Sequence, residues 1–202
     1  YPDLYVASGG NELYGNDNFL PDRIYMNDGK GNFSKSSQLL PPIFQNKSCV
    51  SVSDIDKDGD KDIFVGVLAD AKAYGIPQTS YLLINNGNGV FSIAGNDIIQ
   101  LSNLGIVTDA AFSDIDNDGL DDLIVTGEWM PMTIYRNKSG RFEKTAIPHS
   151  TGLWQTILAT DVNGDGYTDI LAGNWGHNTK LWAGKNGPLK LYVKDFDKNG
   201  KI

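Results

Sequence analysis

Asp54-Ile-Asp-Lys-Asp-Gly-Asp-Lys-Asp62 decides the fold of this chain, because the same pattern returns twice. The other copies are Asp114-Ile-Asp-Asn-Asp-Gly-Leu-Asp-Asp122 and Asp161-Val-Asn-Gly-Asp-Gly-Tyr-Thr-Asp169. Each places oxygen-bearing side chains at positions 1, 3, 5 and 9 and a glycine at position 6. A hard cation such as Ca²⁺ takes about six to eight oxygen ligands, so a short loop with carboxylates at alternate positions suits it. The glycine allows the sharp turn that gathers those oxygens around one point. A fourth copy, Asp195-Phe-Asp-Lys-Asn-Gly-Lys-Ile202, stops before position 9, and Pro-Asp3-Leu-Tyr-Val at the start reads as the tail of a further one.

The EF-hand loop begins in the same way, but it needs a bidentate Glu at position 12 and a helix on either side. Position 12 falls here on Val65, Val125 and Ala172, whose side chains cannot ligate. The runs that follow the loops are Ile63-Phe-Val-Gly-Val67, Leu123-Ile-Val125 and Ile170-Leu-Ala172. Short, apolar and rich in β-branched residues, they predict strands buried on both faces. Val50–Ser53, Ala110–Ser113 and Ile157–Thr160, ahead of the loops, are extended in character as well. Each cation loop is therefore expected to join two β-strands.

Two further strands are expected in each repeat. They are Arg23–Asn27 with Phe33, Tyr81–Asn85 with Val90-Phe91, and Thr133–Asn137 with Arg141-Phe142. The turns between them, Asp28-Gly-Lys-Gly-Asn32, Asn86-Gly-Asn-Gly89 and Lys138-Ser-Gly140, carry the residues that tolerate positive φ in hairpins. Position 9 recurs at Asp3, Asp62, Asp122 and Asp169. Four strands per repeat at that spacing predict an all-β fold, a β-propeller of four-stranded antiparallel blades. The repeat phases run over about 1–49, 50–106, 107–155 and 156–202, as one domain or part of one. Because both termini fall inside a repeat, a piece of a larger propeller is expected, in preference to a small ring closed by Leu191-Tyr-Val-Lys-Asp195.

With these motifs in place, the chain resembles FG-GAP/VCBS repeat proteins, the calcium-braced β-propellers that include the head of integrin alpha subunits. It looks most like repeats of the cartilage-acidic-protein (ASPIC/UnbV) type. The resemblance implies one Ca²⁺ site built by Asp54, Asp56, Asp58 and Asp62 through side chains and by Asp60 through its carbonyl. It implies a second from Asp114, Asp116, Asp118, Asp122 and the Leu120 carbonyl. A third follows from Asp161, Asn163, Asp165, Asp169 and the Tyr167 carbonyl, and a partial fourth from Asp195, Asp197 and Asn199. The Phe-Gly and Gly-Ala-Pro signatures are replaced by Gly66-Val-Leu, Gly127-Glu-Trp and Gly173-Asn-Trp. Integrin-like ligand recognition therefore does not carry over.

Composition fits that reading. The formal net charge is −8, and 13 of the 25 acidic residues lie in the three complete loops, so the acidity is mostly site chemistry. Seventeen scattered Lys and Arg make no basic stripe, which argues against nucleic acid. No run of about 18 apolar residues suggests a membrane span. The single cysteine, Cys49, leaves calcium as the available staple and reads as a small buried hydrophobe. Weak calcium sites suit an extracellular, periplasmic or cell-surface location.

The face away from the cation loops is the expected ligand face, with Glu128, Trp129, Asn174, Trp175 and His177 as candidate contacts for a protein or glycan. Packing of Trp129 and Trp175 between blades is the competing reading. No nucleophile elbow, zinc-protease helix or phosphate loop points to catalysis. A polysaccharide lyase or a purely structural spacer of a larger surface protein are the alternatives to a binding module. Asn32-Phe-Ser34, Asn46-Lys-Ser48 and Asn137-Lys-Ser139 match the glycosylation sequon.

Overall fold

The computed structural model describes the chain apart from residues 11, 38, 39, 177–179, 182–186, 188, 201 and 202. Among the described residues there is no helix, so none is long and apolar enough to cross a membrane. Thirteen antiparallel strands among the described residues form the expected blades. The first is β1 (Leu4–Val6), β2 (Arg23–Asn27) and β3 (Phe33–Lys35), in that order. The second is β4 (Lys47–Ser53), β5 (Asp62–Val67), β6 (Tyr81–Asn85) and β7 (Phe91–Ile93). The third is β8 (Ile106–Ser113), β9 (Asp122–Met130), β10 (Thr133–Asn137) and β11 (Phe142–Ala146). The fourth repeat contributes β12 (Gly152–Thr160) and β13 (Asp169–Asn174).

Each cation loop joins the first and second strands of its blade, in equivalent registers: Ser53 pairs with Asp62, Ser113 with Asp122 and Thr160 with Asp169. Alternation along the second strand divides the core, because successive side chains leave opposite faces of a sheet. Phe64 enters a cluster with Leu82, Leu101, Val107, Leu123 and Tyr135 between the second and third blades. Ile63 and Val65 enter a smaller one with Ile43 and Leu83. β5 is buried along its whole length, as its sequence predicts.

A bulge recurs at one place in every first strand: between Lys47 and Cys49, between Val107 and Asp109, and between Trp154 and Thr156. It turns the extra residue toward the neighbouring blade. Ser48 Oγ donates to Val107 O at 2.7 Å, and Thr108 Oγ1, one blade on, donates to Trp154 O at 3.0 Å. Gly66 sits opposite the first bulge, where an added Cβ would lie 2.5 Å from Cys49 Sγ and 2.8 Å from Val107 Cγ1. This glycine within the second strand is thus a packing requirement.

Two expectations need correction. β13 is only half-buried, with Leu171 and, on β12, Leu158 exposed, because no further described sheet covers that side. The blades are not all separate sheets. β9 runs past the end of its pairing with β10 and takes up the start of β12, Met130 against Gly152 and Glu128 against Leu153, to make six strands. Of the three sequons, Asn46 and Asn137 are buried, and the Asn137 amide donates to Ile55 O at 2.7 Å; only Asn32 is exposed.

Candidate metal centres

The loops share one internal hydrogen-bond pattern, including the incomplete fourth copy. The position 1 carboxylate accepts the N–H of the position 6 glycine: Gly59 to Asp54 (3.1 Å), Gly119 to Asp114 (2.8 Å), Gly166 to Asp161 (2.9 Å) and Gly200 to Asp195 (2.7 Å). The position 5 carboxylate accepts the N–H of position 7: Asp60 to Asp58 (2.9 Å), Leu120 to Asp118 (3.0 Å) and Tyr167 to Asp165 (2.9 Å). Position 4 is left-handed in every copy, with φ of 64° at Lys57, 57° at Asn117, 78° at Gly164 and 59° at Lys198. Two left-handed residues in three wind the backbone tightly enough to turn the odd-numbered side chains inward.

Two triads result. Oxygens of Asp54, Asp56 and Asp58 lie within 4.8 Å of one another, as do those of Asp114, Asp116 and Asp118, so each can hold a metal ion. Asp54 Oδ1 is buried without a hydrogen-bond partner. An isolated buried carboxylate oxygen is costly, and a bound cation would supply the partner that it lacks. In the third loop Asp161 accepts from Gly164, Asp165 and Gly166, and those N–H groups hold its carboxyl below the usual range. Asn163 donates to Asp165 Oδ2 at 3.0 Å. In the fourth, Asn199 donates likewise to Asp197 at 2.8 Å.

Position 9 does something that its sequence did not suggest. Asp62 Oδ2 accepts from Ile55 N at 3.2 Å and Oδ1 from Asn85 N at 2.9 Å. Asp122 repeats this with Ile115 and Asn137, and Asp3 accepts from Asn27 N at 2.8 Å. The Asn side chains donate back to the carbonyl ahead of position 9: Asn27 to Pro2, Asn85 to Lys61 and Asn137 to Asp121. Position 9 is thus a brace between loop and third strand. Burial pushes the Asp62 and Asp122 carboxyls up, against the pull of those N–H groups. The Asn that ends each third strand is the signal in the sequence that marks this partner.

Neighbouring loops also touch. Ser53 donates to Asp121, Ser113 and Thr168 share a 3.0 Å hydrogen bond, and Asn117 donates to Gly166 O at 3.3 Å. Electrostatics differs between them. Arg136 Nη1 lies 2.7 Å from Asp116 Oδ2, and Lys138 Nζ lies 3.3 Å from Asp118 Oδ2.

At the far ends of the second strands, roughly 20 Å along β9 from Asp122, the expected ligand residues divide. Glu128 and Trp129 meet Tyr74 and Gln155, two residues that the sequence did not single out. Tyr74 donates to Glu128 Oε2, Gln155 donates to Glu128 Oε1 at 2.8 Å, and the Trp129 indole N–H donates to Tyr74 at 2.9 Å. Trp129 holds φ at 61°, a left-handed conformation unusual for a bulky residue. Trp175 is half-exposed and its N–H reaches Leu153 O, while Asn174 Oδ1 accepts from Gly176. His177 lies outside the described residues. A groove of about 220 Å³, lined by Phe44, Gln45, Asp70 and Gln78, opens on this face.

Comparison with known proteins adds three findings. A family model described as FG-GAP-like repeat matches residues 1–65 and 114–172, more than half of the chain. Integrin alpha-PS2 of Drosophila melanogaster is 27% identical over 187 residues, a match covering 74% of this chain and 13% of that protein. Among solved structures, an Agrocybe aegerita lectin, described with specific recognition of non-reducing terminal N-acetylglucosamine, has a TM-score of 0.51 at 19% identity. That likeness covers 75% of this chain and 41% of the lectin chain, and it bears on the fold alone.

Proposed function

The chain belongs to the FG-GAP-like repeat family, and on that premise we propose that it is a calcium-braced binding module of an extracellular, periplasmic or cell-surface protein. The observation that carries the metal reading is the Asp54, Asp56 and Asp58 triad around a buried carboxylate oxygen with no hydrogen-bond partner. Asp54, Asp56, Asp58, the Asp60 carbonyl and Asp62 hold the ion in the first loop. Asp114, Asp116, Asp118, the Leu120 carbonyl and Asp122 do so in the second, and Asp161, Asn163, Asp165, the Tyr167 carbonyl and Asp169 in the third. Asp195, Asp197 and Asn199 begin a fourth site. Bound calcium neutralises carboxylates that the fold forces together, and so locks each first strand to its second.

The relative is an integrin alpha subunit, which supports a place outside the cell; the chain spans 13% of its length, so the activity of any whole protein is part of the proposal. Recognition of a protein or glycan is placed on the face opposite the cation loops. Glu128 and Trp129 there are pre-positioned by Tyr74 and Gln155, and Trp175 presents an open aromatic face. Aromatic faces beside polar groups suit sugars and peptides.

Incubation with a panel of polysaccharides in millimolar calcium tests this, following both retention and new reducing ends. Retention without cleavage, weakened by Trp175→Ala, is expected for a glycan ligand. New reducing ends would replace the binding reading with an enzymatic one. With neither, a protein ligand or a spacer role takes its place.

A further inference from the structure

We propose that Arg136 and Lys138 set the cation affinity of the loop 114–122, making it a weak site beside a strong one at 54–62. The proposal rests on the calcium reading above. Asp116 Oδ2 lies 2.7 Å from Arg136 Nη1 and 3.5 Å from Lys138 Nζ, and Asp118 Oδ2 lies 3.3 Å from the same ammonium. Two of the three carboxylates of this triad therefore already have cationic partners supplied by the protein.

The pairing follows from position in the blade. Asn137 ends β10 beside Asp122, which sets Arg136 and Lys138 on either side of it, next to the loop. In the second blade Asn85 takes the place of Asn137, and its flanking residues are Ile84 and Asn86; in the first they are Met26 and Asp28. Cations flank this Asn in the third blade and in neither of these two. Among the described residues, no ion pair reaches Asp54, Asp56 or Asp58. One oxygen of Asp54 is instead buried and without a partner.

A dication entering the loop 114–122 must displace these side chains or bind against their repulsion. A unit positive charge about 5 Å from a divalent ion weakens binding on the order of tenfold even at the dielectric of water. Both cationic side chains are partly exposed, so salt screens the effect. In return, Arg136 and Lys138 relieve carboxylate repulsion when calcium is scarce. The third blade then keeps its shape at calcium levels where the loop 54–62 still depends on the ion.

Calorimetric titration of the metal-stripped full chain with Ca²⁺ tests the proposal. The variants are Arg136→Ile/Lys138→Asn, which installs the second blade's residues, and Asp54→Ala. The wild type is expected to bind in a strong and a weak class, with Asp54→Ala removing the strong one. Arg136→Ile/Lys138→Asn should tighten one weak site about tenfold, less so at higher ionic strength. In chelator the same variant should melt below the wild type. If it fails to fold, Lys138→Gln alone carries the test, with a smaller shift of the same sign. Calcium affinities unchanged by Arg136→Ile/Lys138→Asn would overturn the proposal while leaving the calcium reading intact. No calcium binding by the wild type would overturn that reading itself.

Discussion

Asp122 Oδ1 accepts the backbone N–H of Asn137 at 2.7 Å, and both residues are fully buried between the loop 114–122 and the third strand. The Asn137 amide returns the bond to Asp121 O and also crosses to Ile55 O in the preceding blade. Asn137→Ala leaves these buried carbonyls unpaired and is expected to cost about 3 kcal/mol, a loss that denaturant unfolding in chelator measures. Asn27→Ala, at the half-buried equivalent in the first blade, should cost under about 1 kcal/mol, since it keeps the backbone bond to Asp3 and water replaces the exposed side-chain bond to Pro2 O.

Backbone conformation, not space, fixes the loop glycines. Gly119 has φ of 85°, and nothing lies within 4 Å of where its Cβ would be. Gly119→Ala is therefore expected to cost about 1–2 kcal/mol through left-handed strain alone. Asn117→Gly, at left-handed position 4, should be neutral or slightly stabilising, because the third loop already uses Gly164 there. Melting of both variants in chelator checks the pair; a Gly119→Ala that costs nothing, or an Asn117→Gly that clearly destabilises, would show that strain is not what these positions manage.

A second buried device joins the first two blades. Lys47 Nζ lies 3.1 Å from Asp22 Oδ1 with both side chains almost wholly buried, and Tyr5 donates to Asp22 Oδ2 at 2.6 Å. Asp22→Ala leaves the buried ammonium with only the Leu20 and Ile43 carbonyls and no counter-charge, and is expected to cost about 3–5 kcal/mol. Lys47→Met should cost less, because Tyr5 and the Ser8 N–H still hold the carboxylate. The double variant should recover most of the single Asp22 loss, which a double-mutant cycle in urea reads directly.

Cys49 packs against the core opposite Gly66, and burial pushes its thiol up to about 12. At mildly alkaline pH it should react with a disulfide reagent only as fast as the protein opens, and at the rate of a free thiol in denaturant. The folded value is above the unfolded one. The thiol's contribution to stability is therefore complete below about pH 8.5–9 and is lost as pH rises toward 12. Cys49→Ala should flatten that alkaline decline.

How far the sequence reaches is clear from particular residues. The strands around Asp54, Asp114 and Asp161 were legible because the loop pattern sets both ends of each hairpin and the apolar runs leave one register. The bulges that aim Ser48 and Thr108 at the next blade were not, because a bulge leaves no mark on hydrophobic alternation. The exposure of Leu171 depends on what packs beside the fourth repeat, which no local pattern encodes. In the loops, odd positions were legible as oxygen donors. The bracing role of Asp62 and Asp122 was hidden, because in sequence a carboxylate that braces backbone looks the same as one that could bind metal. On the opposite face, Trp129 was visible as a repeated aromatic, while Tyr74 and Gln155 come from other repeats and meet it only in space.

Calcium-dependent melting tests the central claim most directly. With the wild type and Asp54→Ala compared in millimolar calcium and in chelator, the wild type should gain several degrees from calcium by mass action on folded-state sites. Asp54→Ala should lose the larger share of that gain, because it removes the carboxylate whose buried oxygen has no other partner. Identical wild-type curves with and without calcium would contradict the account.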